Sequence, residues 1–131
     1  MFSPARAWRE FPRRYRLEAS RCEGCSKILY PARLVCPSCG GRDFVDETLP
    51  RDGKILTFTV VRVPPAGFTE QTPLPIALVE LDNGARVMVQ VGDVENPDTL
   101  EIGTPIRLEF RRVSWDGEAG VIFYGHKAVP A

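Results

Sequence analysis

The sequence predicts a mainly β protein, and three observations predict it. From Lys54 onward apolar and polar residues alternate with a period of two, the pattern of half-buried strands. Turn dipeptides punctuate that region at Asp52-Gly53, Asn83-Gly84 and Asp116-Gly117. All four cysteines fall in two Cys-x-x-Cys pairs near the N-terminus, Cys22-Glu23-Gly24-Cys25 and Cys36-Pro37-Ser38-Cys39. At 131 residues the chain has room for one small barrel plus a module too small to fold on its own core. The expected order is a short helical segment over residues 1–19, a cysteine-stapled ribbon over 20–50 and a β domain over 51–131.

The helical segment rests on Ser3-Pro4, an N-cap followed by proline at the first helical position, and on Trp8, Phe11 and Tyr15 at helical spacing. Pro12 should end or kink the helix near Phe11. The segment is rich in arginine (Arg6, Arg9, Arg13, Arg14, Arg16), and a helix this short is marginal in water. Its aromatic face must therefore pack, either on its own chain or on a partner, since Trp, Tyr and Arg are enriched at interface hot spots. Trp8, Phe11, Tyr15, Arg9 and Arg13 are the candidate docking residues.

Two Cys-x-x-Cys pairs ten residues apart form two tight turns aimed at one centre, the arrangement a tetrahedral Zn²⁺ requires. Four thiolates leave no open position, so a metal held by Cys22, Cys25, Cys36 and Cys39 is structural. Iron in the same tetrahedral sulfur shell remains the alternative. Disulfides are disfavoured because no apolar signal segment follows Met1, and a redox dithiol is disfavoured because no βαβ unit surrounds either pair. Between the pairs, residues 27–31 and 32–35 read as short extended pieces, and Gly40-Gly41 supplies positive-φ freedom after the second pair. Residues 43–51 are polar and lead out.

In the β domain, Leu56, Phe58 and Val60 line one face of a first strand. Residues 76–82 and 85–91 form a second and third strand across Asn83-Gly84, expected as a type I′ turn. Asn96-Pro97-Asp98-Thr99-Leu100 starts a short helix or turn. Ile106, Leu108 and Phe110 mark a fourth strand facing inward, and residues 121–126 a fifth. Five strands with a small helix between the third and fourth is the order of an OB-fold barrel; a sandwich needs more strands. The loop over residues 64–75 carries four prolines and Phe68, beside the face that OB-folds use for binding.

Composition excludes several classes. Formal net charge is zero, with 17 basic and 17 acidic side chains, and no apolar run approaches the roughly 20 residues of a membrane span. The expected compartment is the cytoplasm, where thiols stay reduced. Residues 1–53 carry ten basic and seven acidic groups, and residues 54–131 seven and ten, so the halves are +3 and −3. A net-acidic barrel argues against a nucleic-acid groove, although Trp115, Phe123 and Tyr124 offer a small stacking platform. No nucleophile elbow or glycine-rich phosphate loop is present, and the sole histidine, His126, lies near the chain end. The expectation is a chain that does not catalyse by itself.

Arg21-Cys22-Glu23-Gly24-Cys25, Tyr30-Pro31-Ala32-Arg33, Cys36-Pro37-Ser38-Cys39-Gly40, Val79-Glu80-Leu81-Asp82-Asn83-Gly84 and Ile102-Gly103-Thr104-Pro105-Ile106 resemble the zinc-ribbon and OB-fold proteins associated with acyl-CoA enzymes, domain-of-unknown-function family thirty-five (DUF35). The resemblance implies a non-catalytic subunit of a thiolase-like complex, a synthase, thiolase or aldolase, that supports its partner and the coenzyme A or acyl-CoA channel. It makes Arg33 and Phe68 candidate contacts to CoA and a hetero-oligomer, two plus two, the expected assembly. Ser26 departs from it, standing where many members have glycine. The competing readings are a single-stranded nucleic-acid-binding OB-fold and a stand-alone acyl-CoA-binding protein.

Overall fold

The computed structural model describes residues 4–63, 73–115, 120 and 122–131. They form two compact units, the first the chain up to Pro50 together with Asn83–Ala85 and the second Arg51–Asp82 with Arg86–Ala131.

The first unit opens with α1, Pro4–Tyr15, which runs through Pro12 and does not end at Phe11. Proline in a helix forfeits one N–H and crowds the carbonyl four residues back. The ladder resumes at once, with Arg16 N–H donating to the Pro12 carbonyl at 3.2 Å. Arg6 and Arg14 both bridge Glu10, at 3.2 and 3.1 Å, the favourable spacing of four residues on a helix surface. After Leu17, held at φ 54°, the chain enters a three-stranded antiparallel sheet in the order β2-β1-β3, with β1 Glu18–Cys22, β2 Ile28–Leu29 and β3 Phe44–Thr48.

β3 corrects the expectation that residues 43–51 merely lead out: all five of its residues pair with β1, Glu18 opposite Thr48 through Cys22 opposite Phe44. Of the two extended pieces expected between the cysteine pairs, only Ile28–Leu29 is a strand, and residues 30–35 bend. Leu17, Ala19, Ser20, Cys22, Leu29, Cys36 and Leu49 are buried here, too few large side chains for a self-sufficient core.

The second unit is a five-stranded antiparallel sheet in the order β6-β5-β4-β7-β8: β4 Asp52–Val61, β5 Leu74–Leu81, β6 Arg86–Gln90, β7 Pro105–Trp115 and β8 Ile122–Pro130. A parallel bridge between Val91 and Ala128 brings the two edges together and makes the sheet a nearly closed barrel, the OB-fold predicted from strand count and order. A short 3₁₀ helix, Pro97–Thr99, sits between β6 and β7, capped by the Asn96 side chain accepting from Asp98 N–H.

The core is read from β5, where Leu74, Ala77, Val79 and Leu81 are buried and alternate members are half-exposed. Ile55, Ile106, Leu108 and Ala128 complete it. Ile55 is fully buried although it is out of phase with Leu56, Phe58 and Val60, because β4 shifts register between Ile55 and Thr57.

Three details differ from expectation. The β5–β6 connection is not type I′, which needs positive φ at both central residues; Gly84 has φ 85° while Asn83 instead accepts Ala85 N–H on its side chain at 3.1 Å. β8 runs on to Pro130, so His126 lies inside a strand. Phe110 does not face inward and is 42% exposed, because β7 pairs with β4 only from Pro105 to Arg107 and has no barrel wall beside it further on.

Candidate metal centre

The two cysteine turns are built alike. In the first, Ser26 N–H donates to the Cys22 carbonyl at 2.8 Å and Cys22 N–H to the Lys27 carbonyl at 2.9 Å. In the second, Gly40 N–H donates to the Cys36 carbonyl at 2.9 Å and Cys36 N–H to the Gly41 carbonyl at 2.8 Å. Each turn must reverse within four residues, and each does so with a left-handed fourth residue, Ser26 at φ 61° and Gly40 at φ 74°. Gly41 was expected to share that role; its use is space instead, since a Cβ there would stand 3.3 Å from Cys39 Sγ and 3.4 Å from Cys22 Sγ.

The four sulfurs all lie within 4.8 Å of one another, with Cys22 to Cys39 at 3.4 Å and Cys25 to Cys36 at 3.5 Å. Zinc–sulfur bonds of about 2.3 Å give a tetrahedron with edges of roughly 3.8 Å, so this donor set fits one four-coordinate metal. Cys22 and Cys36 are buried, whereas Cys25 and Cys39 are exposed.

Backbone amides already prepare the site for anionic sulfur. The Cys39 and Ser38 N–H groups hold the Cys36 thiol down to about 6. Cys39, despite a hydrogen bond from the Gly41 amide, is pushed up to about 12 by the neighbouring cysteine thiols. Cys25 is raised as well; the Lys27 amide lowers it, but Cys36 and burial outweigh that. Four sulfurs this close cannot all ionise unless a cation joins them.

The other candidates are scattered. On α1, Trp8, Phe11 and Tyr15 form a ladder of rings, centroids 5.2 and 5.3 Å apart, with Trp8 73% exposed and no residue of the helix buried. Arg9 is exposed, whereas Arg13 is committed to Asp46 at 3.1 Å and Glu18 at 3.7 Å. Arg33 is exposed beside Leu34 and Val35, between the cysteine turns. Phe68 and the proline-rich loop up to residue 72 lie outside the described residues, as does the Asp116-Gly117 turn. Sequence reasoning missed the pairing of Phe110 with Tyr124, rings 5.6 Å apart and nearly parallel at 16°; the signal was the register of two strands, which no single-strand pattern reveals.

In the second unit Leu74, Pro75, Val91, Val94 and Lys127 line a shallow cleft of about 260 Å³. Burial lowers the Lys127 ammonium below the usual lysine range, Asp93 opposing and Arg112 reinforcing the effect. No described helix is long and apolar enough to cross a membrane.

Fold and site together define a zinc-ribbon protein carrying an OB-fold domain. Residues 9–45 match the family described as ChsH2, rubredoxin-like zinc ribbon domain, and residues 46–111 that described as ChsH2, C-terminal OB-fold domain. A DUF35 domain-containing scaffold protein of Methanothermobacter thermautotrophicus is 38% identical over 131 residues, 99% of this chain and 98% of that one. The chain belongs to the DUF35 family. The benzoylsuccinyl-CoA thiolase subunit BbsA of Thauera aromatica is 31% identical over 75 residues, 57% of this chain and 51% of that protein. Among solved structures, the Ltp2-ChsH2(DUF35) aldolase matches with a TM-score of 0.67 and 27% identity over 99% of this chain and 96% of that chain.

Proposed function

We propose that this chain is the non-catalytic zinc-ribbon and OB-fold subunit of a thiolase-like acyl-CoA complex, docking on the catalytic subunit and helping to shape its CoA channel. The observation that carries the reading is α1. Its Trp8, Phe11 and Tyr15 rings lie tilted against one another in a row on a helix with no buried residue, and Trp8 at the head of the row is 73% exposed. Aromatic residues beside arginine, here the exposed Arg9, are the composition of interface hot spots. Two relatives bear names that point to the partner class, a thiolase subunit and an aldolase complex, and a third is named a scaffold.

Zn²⁺ is the metal this reading assigns to Cys22, Cys25, Cys36 and Cys39, where it replaces the missing hydrophobic core of the first unit. When bound it supplies rigidity and no chemistry, because four thiolates saturate it. Arg33, exposed between the cysteine turns, is the proposed contact to the anionic end of CoA, and Phe68 to its pantetheine arm. The assembly is two plus two and cytoplasmic.

Size-exclusion chromatography with light scattering of this chain and the thiolase-like protein co-expressed with it tests the proposal. A single hetero-oligomeric peak is expected. Separate elution of the two proteins contradicts it.

A further inference from the structure

Lys127 is the lysine that the fold sets apart. The sequence holds three, Lys27, Lys54 and Lys127. Lys27 and Lys54 are exposed, and Lys27 donates to the Ser38 hydroxyl at 3.1 Å. Lys127 is half-buried on β8, one residue before the Ala128 that bridges to Val91, and it lines the cleft of about 260 Å³ with Leu74, Pro75, Val91 and Val94. The Gly92 backbone runs beside its stem: Gly92 N–H donates to the Ala128 carbonyl at 2.8 Å, and a Cβ on Gly92 would stand 3.4 Å from Lys127 Cδ.

A lysine in such a place ordinarily takes a carboxylate, and three acids surround it. Asp93 and Glu95 line the same cleft, and Glu109 stands opposite Lys127 in the β7–β8 register. Asp93 is held by Arg111 at 3.2 Å and Glu109 by Arg107 at 3.4 Å, while Glu95 is exposed. Among the described residues Lys127 makes no ion pair and no side-chain hydrogen bond. Burial therefore works against its charge; Asp93 offsets that only in part, and Arg112 adds to it.

An amine attacks a carbonyl carbon only in its neutral form, and a lysine desolvated among apolar walls holds more of that form near neutrality than an exposed one. The amide that results carries no charge for burial to oppose. Leu74, Pro75, Val91 and Val94 are suited to cover a short aliphatic group attached there.

We propose that Lys127 is a site of N-acylation by short-chain acyl thioesters, its acyl group lying against the apolar walls of the cleft. The neutral Nζ adds to the thioester carbonyl, the C–S bond breaks, the thiol leaves with the proton that the nitrogen gives up, and an amide remains. The source of the thioester, acyl-CoA handled by the complex, rests on the function proposed above. The reactivity of Lys127 does not.

Incubation of the zinc-loaded chain with acetyl-CoA or butyryl-CoA at about pH 7.5, followed by peptide-mapping mass spectrometry, tests it. The three lysines compete within one molecule. Lys127 should gain acyl groups roughly fivefold faster than Lys27 or Lys54, and the excess should shrink toward about pH 10, where every lysine approaches its neutral form. In denaturant the three should react within about twofold of one another, since their surroundings are then alike. Val94→Asp, which sets a carboxylate in the cleft wall, should bring Lys127 to within about twofold of the others with circular dichroism unchanged. Lys127 acylated no faster than Lys27 and Lys54 in the folded chain overturns the site and leaves the partner reading intact. An excess that survives Val94→Asp also overturns the proposal, because the cleft would not be its cause. Separate elution in the co-expression experiment fails the partner reading and removes that complex as the acyl donor, whatever the lysine rates.

Discussion

Ser26 and Gly40 occupy the same place in the two cysteine turns, each the fourth residue after the first cysteine and each left-handed, at φ 61° and 74°. For any residue with a Cβ this conformation costs about 1–2 kcal/mol, which glycine avoids. One turn therefore carries strain that its twin lacks. Ser26→Gly should stabilise the zinc-loaded protein by up to about 1 kcal/mol, less whatever the added freedom of the unfolded chain removes. Gly40→Ala should destabilise it by about 1–2 kcal/mol, since no atom crowds that position and backbone strain acts alone. Thermal unfolding of both variants in excess zinc checks the pair.

Metal uptake should be proton-linked. Cys25 and Cys39 are held above the ordinary thiol range in the metal-free site, Cys39 at about 12, so both are protonated near neutrality and must lose those protons to bind. Apparent zinc affinity should rise with pH through the neutral range and fall on acidification. Titrations in buffers of differing ionisation enthalpy should show protons released; a pH-independent affinity would argue against thiolate ligation.

Among the described glycines, Gly53 is the one where a methyl group would meet backbone atoms. A Cβ on Gly53 would collide with the Glu80 carbonyl and stand 2.9 Å from Leu81 Cα, both backbone atoms of the paired strand that cannot turn aside. Gly53→Ala should cost about 2 kcal/mol or more, comparable to emptying the core with Ile55→Ala, for which about 3 kcal/mol is expected. Denaturant midpoints measured at constant zinc decide this.

Trp8 separates docking from folding. At 73% exposure its removal should alter stability by less than about 0.5 kcal/mol, yet Trp8→Ala should weaken the complex with the catalytic subunit by roughly tenfold. Equal losses in stability and affinity would mean that the ring packs on its own chain.

What the sequence made legible follows from how local each feature is. The cysteine spacing states a geometry within eighteen residues, and the sulfurs do converge. Strand count and order likewise sufficed for the OB-fold. Pairing did not: β3 looks like a polar exit because only Phe44 and Val45 are apolar, and it is a strand because β1 offers it five partners. Phe110 obeys the inward phase of Ile106 and Leu108 but has outrun the strand that would have covered it. Pro12 read as an end or a kink near Phe11, whereas the helix runs on to Tyr15 despite one lost hydrogen bond and a crowded carbonyl, with the Arg14–Glu10 bridge spanning the proline.

The most direct test of the central claim is acyl-CoA turnover measured for three samples: this chain alone, the thiolase-like subunit alone, and the two together. The account predicts no turnover by this chain and activity of the catalytic subunit that rises when the zinc-loaded chain is added. Turnover by this chain unaided, or full activity of the catalytic subunit without it, would contradict the account.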